Sequence, residues 1–106
     1  MANKLTIEQR VANGVRFLDE YVPDWLEKIN TPELDVNDLE KCPLGQIFGH
    51  YDTAKNRLRV EFINSNISRK AMGFDLMGDD IDALRIDSAR LTDEWKRVIN
   101  ERWHDN

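Results

Sequence analysis

The sequence predicts an all-α fold, a compact small helical domain of about five helices over residues 1–106. Two amphipathic segments near the ends of the chain carry apolar residues at the three- and four-residue spacing of a helix face, and turn residues separate shorter helical segments between them. A chain of 106 residues has the length of one domain. The glycines form no Rossmann or P-loop pattern, which excludes those nucleotide-binding folds.

The first helix is predicted to begin after Thr6, because Thr6 and Gln9 have the spacing of a capping box. Arg10 is assigned to its solvent face, with other charged residues. Gly14 falls on the apolar face and costs about 1 kcal/mol relative to alanine there, which predicts that another element packs closely against it. The apolar or small residues of that face are Val11, Gly14, Val15, Leu18, Tyr21 and Val22.

Three prolines divide the next part of the chain. Pro23 ends the first helix and is expected to begin a short second one that runs to Ile29. Residues 30–36 have the composition of a loop. Pro43 begins a further helix with Cys42 at its N-cap, and its apolar face is predicted to consist of Leu44, Ile47, Phe48 and Tyr51.

Gly45 and Gly49 lie four residues apart on this helix. Such spacing predicts close packing by another helix or by backbone within the chain. A homodimer that pairs this helix with its own copy explains the two glycines equally well.

Residues 52–63 fit two patterns, since apolar residues recur there at both two-residue and four-residue spacing. A helix is favoured because no second strong strand is available for pairing, and a small β-hairpin near residues 57–63 is the alternative. Residues 67–72 are predicted to form a short helix that Gly73 ends. Residues 77–91 are predicted to be acidic and irregular, and the last helix is expected to start at an N-cap, Thr92.

The three tryptophans are assigned to the core. Trp25 and Trp95 lie at helical spacing with other apolar residues. Trp103, close to the end of the chain, is alternatively a partly exposed anchor at an interface.

The formal charge of the chain is −5, and it is unevenly distributed. Residues 19–40 hold eight acids and one lysine, and residues 71–95 hold seven acids and two arginines. Such blocks either face solvent or offer an acidic surface that fits a basic groove of a partner, as nucleic-acid mimics do. The acids assigned to partner binding are Asp75, Asp79, Asp80, Asp82 and Asp87.

A basic stretch between the two acidic blocks supports a second hypothesis. Its lysine and arginine side chains would contact phosphate groups, and Tyr51, Phe62 and His50 would stack on nucleobases, as in single-strand binding proteins. The chain would then be a small nucleic-acid-binding regulator. The residues assigned to this role are Lys55, Arg57, Arg59, Arg69 and Lys70.

No catalytic residue, cofactor or metal is predicted. Cys42 and His50 are the one plausible nucleophile and base, but eight residues of helix would separate them by about 12 Å. One cysteine and two histidines do not supply a structural zinc site, and the acidic run lacks the twelve-residue calcium loop.

The chain is expected to be cytoplasmic and without a membrane contact. No run approaches about 18 consecutive apolar residues, and the first residues lack the apolar core of a signal peptide. A single cysteine agrees with a reducing compartment.

Several blocks of the sequence resemble a group of small uncharacterised proteins of actinobacteria and their phages. The most specific block is Cys42-Pro43-Leu44-Gly45-Gln46-Ile47-Phe48-Gly49-His50-Tyr51, and the others, in order, are Arg10-Val11-Ala12-Asn13-Gly14, Phe17-Leu18-Asp19-Glu20, Pro23 with Trp25, Ala71-Met72-Gly73-Phe74-Asp75 and Leu91-Thr92-Asp93-Glu94-Trp95-Lys96. The resemblance implies a small, mostly helical domain that is often encoded on mobile elements, with no assigned activity. This chain differs at Pro43, where the group usually has valine, and it lacks a second cysteine.

The leading functional hypothesis combines what this resemblance implies with the acidic charge of the chain and its lack of candidate catalytic residues. We expect a phage or mobile-element accessory protein that acts as a protein-interaction module and inhibits a host complex, such as a defence complex, through its acidic surfaces.

Overall fold

The computed structural model describes residues 5–104, and within them the chain is helical, with no strand. Five α-helices are present, with three short 3₁₀ turns at Trp25–Lys28, Thr31–Glu33 and Lys70–Met72. The α-helices are α1 Ile7–Tyr21, α2 Pro43–Phe48, α3 Tyr51–Arg57, α4 Arg59–Ser65 and α5 Ile81–His104. The all-α prediction is therefore confirmed, and the β-hairpin alternative is wrong, since residues 57–63 belong to α3 and α4.

Helix α1 begins as the sequence predicts. The Gln9 amide donates to Thr6 Oγ1 at 3.0 Å, and the Thr6 amide donates to Gln9 Oε1 at 2.9 Å, which completes the capping box. The predicted close approach at Gly14 is also confirmed. A Cβ at this position would meet the Met72 backbone carbonyl and would lie 2.8 Å from the Trp95 ring.

Helix α5 begins well before the predicted start. Asp80 rather than Thr92 caps it, because Asp80 Oδ1 accepts a hydrogen bond from the Ala83 amide at 2.8 Å. Thr92 lies within the helix, and its hydroxyl accepts from the Val36 amide at 3.0 Å. Residues 81–91, predicted to be irregular, are helical, and from Ser88 onward they continue the buried stripe of the last helix. That stripe consists of Ser88, Leu91, Trp95 and Ile99.

The two glycines of the α2 region have different roles. A Cβ at Gly45 would meet the backbone of residues 39–40, so the predicted close packing holds there. Gly49 has no neighbour near its Cβ position; its φ of +92° ends α2 in the left-handed conformation. The helix therefore stops at Phe48, and Tyr51 opens α3 instead of continuing α2.

Two other short helices were placed correctly but are smaller than predicted. The Pro23 segment contains a single 3₁₀ turn at Trp25–Lys28, and the segment before Gly73 contains one at Lys70–Met72. Gly73 ends that turn as predicted, with φ of +72°.

The core is built on stacked aromatic rings. Phe17 and Phe62 stack with centroids 4.6 Å apart, and Phe74 and Trp95 stack at 5.6 Å. Trp25 meets Trp95 edge to face at 6.1 Å, which confirms both tryptophans as core residues. Trp103 is 49% exposed, so its assignment to the core is wrong, and its role as an anchor at an interface stays a prediction.

The far ends of α1 and α5 are joined by a polar contact. Asp19 on α1 accepts two hydrogen bonds from the Arg102 guanidinium, at 2.9 and 3.0 Å, and one from the Trp25 indole at 2.9 Å. Partial burial opposes ionisation of Asp19, but these hydrogen bonds outweigh it and hold the pKa of Asp19 below its ordinary value.

We predict that Gly14→Ala destabilises the fold by about 1–3 kcal/mol, despite the better helix propensity of alanine, because the added methyl group meets a backbone carbonyl that cannot move independently. Urea unfolding followed by circular dichroism measures the change. Ala12→Gln enlarges an exposed position of the same helix and should change the free energy of unfolding by less than about 0.5 kcal/mol. A Gly14→Ala protein as stable as the wild type would contradict the close packing.

Candidate protein-interaction surface

A buried arginine organises the region that holds the predicted acidic site. Arg10 on α1 is 3% exposed, contrary to its predicted place on the solvent face. Its guanidinium donates to both carboxylate oxygens of Asp87, at 2.6 and 3.1 Å, and to the backbone carbonyls of Lys70 at 2.8 Å and Asp75 at 2.9 Å. The buried charge is thus paired and hydrogen-bonded by residues far away in the sequence. One feature of the sequence indicates this burial: Arg10 lies four residues before Gly14 and therefore on the same, packed face of α1.

Asp87 also fixes the segment that precedes α5. Its Oδ2 accepts a hydrogen bond from the Met77 amide at 2.7 Å, although the Met77 side chain is exposed. Arg10 holds the same segment two residues earlier, at the Asp75 carbonyl. The segment before α5 is therefore held at two points, the Asp75 carbonyl and the Met77 amide.

Asp75 belongs to a second polar cluster. Its side chain accepts a short hydrogen bond from the Tyr51 hydroxyl and a bond from Arg69 Nε at 3.3 Å. Burial raises the pKa of Tyr51 above its ordinary value, and the neighbouring carboxylate of Asp75 raises it further. Asp75 and Asp87 are thus committed to contacts within the fold.

The other three predicted acids face solvent at the start of α5. Asp79, Asp80 and Asp82 are exposed and form no ion pair with the described part of the chain. Asp80 additionally caps the helix. Arg85 is the single base between residues 77 and 86. This surface keeps an excess of negative charge.

Large apolar side chains lie among these acids. Met77 is 47% exposed, Ile81 is 71% exposed and Ile86 is 55% exposed. Burial of such a side chain against a partner releases about 1.5–3 kcal/mol. We refer to the set formed by Met77, Asp79, Asp80, Ile81, Asp82 and Ile86 as the N-terminal face of α5.

The predicted basic residues are distributed over separate elements. Lys55 pairs with Asp52 at 3.5 Å, and Arg69 is committed to Asp75. Arg57, Arg59 and Lys70 are exposed and form no ion pair among residues 5–104. Arg57 ends α3 and Arg59 begins α4. Lys70 is the first residue of the 3₁₀ turn before Gly73.

The aromatic side chains expected to stack on bases are engaged elsewhere. The Tyr51 hydroxyl binds Asp75, Phe62 is buried against Phe17, and His50 caps α3 by accepting from the Asp52 amide at 3.0 Å. These three groups therefore do not form an open stacking platform beside the basic residues.

Cys42 and His50 cap different helices and are not bonded to each other. Cys42 is 2% exposed, its sulfur accepts from the Gly45 amide at 3.3 Å, and burial raises the pKa of its thiol. The other histidine, His104, lies at the exposed end of α5, with Nδ1 2.7 Å from the Asn100 carbonyl. Within residues 5–104, no three histidine, cysteine or carboxylate side chains converge as metal ligands would.

Comparisons of the chain with protein-family models, with curated proteins and with solved structures find no match. The resemblance to small actinobacterial and phage proteins therefore stays a prediction. In the part of the chain that the structure describes, no helix combines the length and apolar character needed to cross a bilayer.

We predict that Asp87→Ala lowers the free energy of unfolding by about 3–5 kcal/mol at neutral pH, because it leaves the buried Arg10 guanidinium without its counter-charge. Replacing Arg10 and Asp87 together by methionine should cost less than the sum of the two single replacements, since no unpaired charge remains. Urea unfolding of the wild type, Arg10→Met, Asp87→Met and the double methionine variant measures this coupling. Asp82→Ala, an exposed acid of the same helix, serves as the control, and an equal loss in Asp82→Ala and Asp87→Ala would contradict the assignment.

Proposed function

We propose that the chain is a protein-interaction module that binds its partner through the N-terminal face of α5. The observation that carries this proposal is the exposure of Met77, Ile81 and Ile86 among acids that the fold leaves unpaired. Large exposed apolar side chains among polar residues are typical of protein interfaces, and these three lie within ten residues of one another in the sequence. Isolated exposed apolar residues would carry no such argument.

Hydrogen bonds that hold the backbone before α5 favour binding without a large rearrangement of this segment. Residues 75–80 are held by the Arg10 bond to the Asp75 carbonyl, by the Asp87 bond to the Met77 amide and by the Asp80 cap. A pre-organised surface loses less conformational entropy when it binds. The backbone that leads into α5 is therefore fixed before a partner binds.

The charge of the surface indicates the kind of partner. Asp79, Asp80 and Asp82 would attract a basic protein surface and accelerate its approach, and this contribution weakens as salt increases. A groove that normally holds nucleic acid has this chemistry. The resemblance stated above directs the finer proposal to a bacterial host complex, such as a defence nuclease, that a phage or mobile element inhibits.

Direct nucleic-acid binding through the basic stretch is the competing function. Arg57, Arg59 and Lys70 remain exposed for phosphate contact. The stacking groups are engaged in the fold, however, and the net charge of −5 opposes attraction of a polyanion. The nuclease arm of the experiment below separates the two functions.

We predict that tagged protein captures a bacterial protein from lysate, with and without nuclease treatment, and that joint replacement of Asp79, Asp80 and Asp82 by asparagine weakens that complex at least ten-fold. Asparagine retains the capping role at position 80, so the fold should be preserved. Affinity is measured with the purified partner by calorimetry at two salt concentrations. The salt dependence should also decrease in the triple variant.

A matched control removes the same charge elsewhere. Glu20→Gln, Glu27→Gln and Glu33→Gln together neutralise three exposed acids of the other acidic block. This variant should bind within about two-fold of the wild type, since it leaves the interface intact. Equal affinity of all three proteins, or capture that nuclease abolishes, would contradict the proposal.

A further inference from the structure

A long groove runs beside the N-terminal face of α5, on the side of the helix that faces α1. Its volume is about 1050 Å³, and the start of α1, residues 77–79 and one stripe of α5 form its walls. The α5 stripe comprises Asp87, Arg90, Glu94 and Arg97, which lie at the three- and four-residue spacing of a single helix face. From Asp87 to Arg97 the groove extends along about 15 Å of helix.

The groove combines apolar and charged groups. Leu5 is 42% exposed and Met77 is 47% exposed, and both line the groove together with the partly buried Ile7. They form the apolar part of the lining, at the start of α1 and in the segment before α5. An apolar side chain of a ligand could be buried there.

The arginines of the groove are mostly committed to acids of the fold. Arg10 is bound by Asp87. Arg97 donates to Glu94 at 2.5 and 2.8 Å and to Glu101 at 2.7 Å. Arg90 is the base of the groove that has no such pairing among the described residues.

Three acids of the groove are exposed and have no ion pair within residues 5–104. They come from three different elements: Glu8 from α1, Asp79 from the segment before α5 and Asp93 from α5 itself. Arg90 is the one arginine of the groove lining that has no ion pair within residues 5–104. The lining as a whole holds five acids and three arginines, so its net charge is negative, which favours a cationic ligand.

We propose that this groove binds an extended basic segment of the partner protein, with lysine or arginine side chains directed at Glu8, Asp79 and Asp93 and an apolar side chain on Leu5 and Met77. A length of about 15 Å corresponds to roughly four or five extended residues. This proposal rests on the function proposed above and specifies the chemistry of the partner that function needs. It extends the contact region from Met77 and Asp79, which belong to both surfaces, to α1 and to the Asp87–Arg97 part of α5.

The test uses the intact protein, labelled with ¹⁵N, and the peptide acetyl-Lys-Arg-Leu-Lys-Arg-amide as the probe. We expect saturable chemical-shift changes in amides of residues 5–8, 77–79 and 87–97. The peptide with glycine in place of leucine should bind at least five-fold more weakly, because it lacks the apolar side chain. The charge-inverted peptide acetyl-Glu-Asp-Leu-Glu-Asp-amide should not bind.

Variants of the protein locate the site independently. Joint replacement Glu8→Gln and Asp93→Asn should weaken the basic peptide at least five-fold, whereas Glu20→Gln with Glu27→Gln, which removes the same charge outside the groove, should change its affinity by less than two-fold. Shifts that do not saturate, that spread over the whole surface or that survive the Glu8 and Asp93 replacements would overturn the proposal.

The failure of this inference is distinguishable from failure of the proposed function. If the captured partner binds the Glu8 and Asp93 variant normally but loses affinity for the Asp79, Asp80 and Asp82 variant, the groove proposal is overturned and the interaction module stands. If no protein partner is captured while the peptide saturates the groove, the groove binds basic segments and the proposed function is contradicted.

Discussion

The guanidinium of Arg10 imposes the constraint on which the rest of this structure depends. An arginine that is 3% exposed must have its charge and its N–H groups paired, and here the partners come from α5 and from the segment on either side of Gly73. One side chain thereby connects the first helix to the last across 77 residues. The same region contains the close approach of Met72 and Trp95 to Gly14, so packing and polar pairing reinforce each other.

The acids of residues 71–95 fall into two groups. Asp75, Asp87 and Glu94 pair with arginines, whereas Asp79, Asp80, Asp82 and Asp93 are exposed and form no ion pair within residues 5–104. Only the second group is available to a partner without disturbing the fold. Because Asp87 pairs with Arg10 and also anchors the backbone before α5, the stability of the domain and the geometry of its proposed binding surface have a common origin.

Local signals predicted much of the helical architecture. The capping box at Thr6, the role of Cys42 as an N-cap and the close packing at Gly14 all depend on neighbours within one helix or on steric demand. The start of α5 was missed because its acids resemble a loop in composition, while the Asp80 cap and the buried stripe extend the helix. The division of the acids was also unpredictable, since Asp87 and Asp79 have the same chemistry, and only a partner 77 residues from Asp87 distinguishes them.

The most direct test of the Arg10 and Asp87 framework is native-state hydrogen exchange at the Met77 amide. Among residues 5–104, the Met77 amide has one hydrogen-bond acceptor, Asp87 Oδ2, and this bond lies at the surface. A hydrogen bond to a charged group contributes about 1.5–3 kcal/mol, and we therefore expect exchange roughly ten- to a hundred-fold slower than in a free chain, with most of that protection lost in Arg10→Lys. Exchange at the free-chain rate in the wild type would contradict the framework.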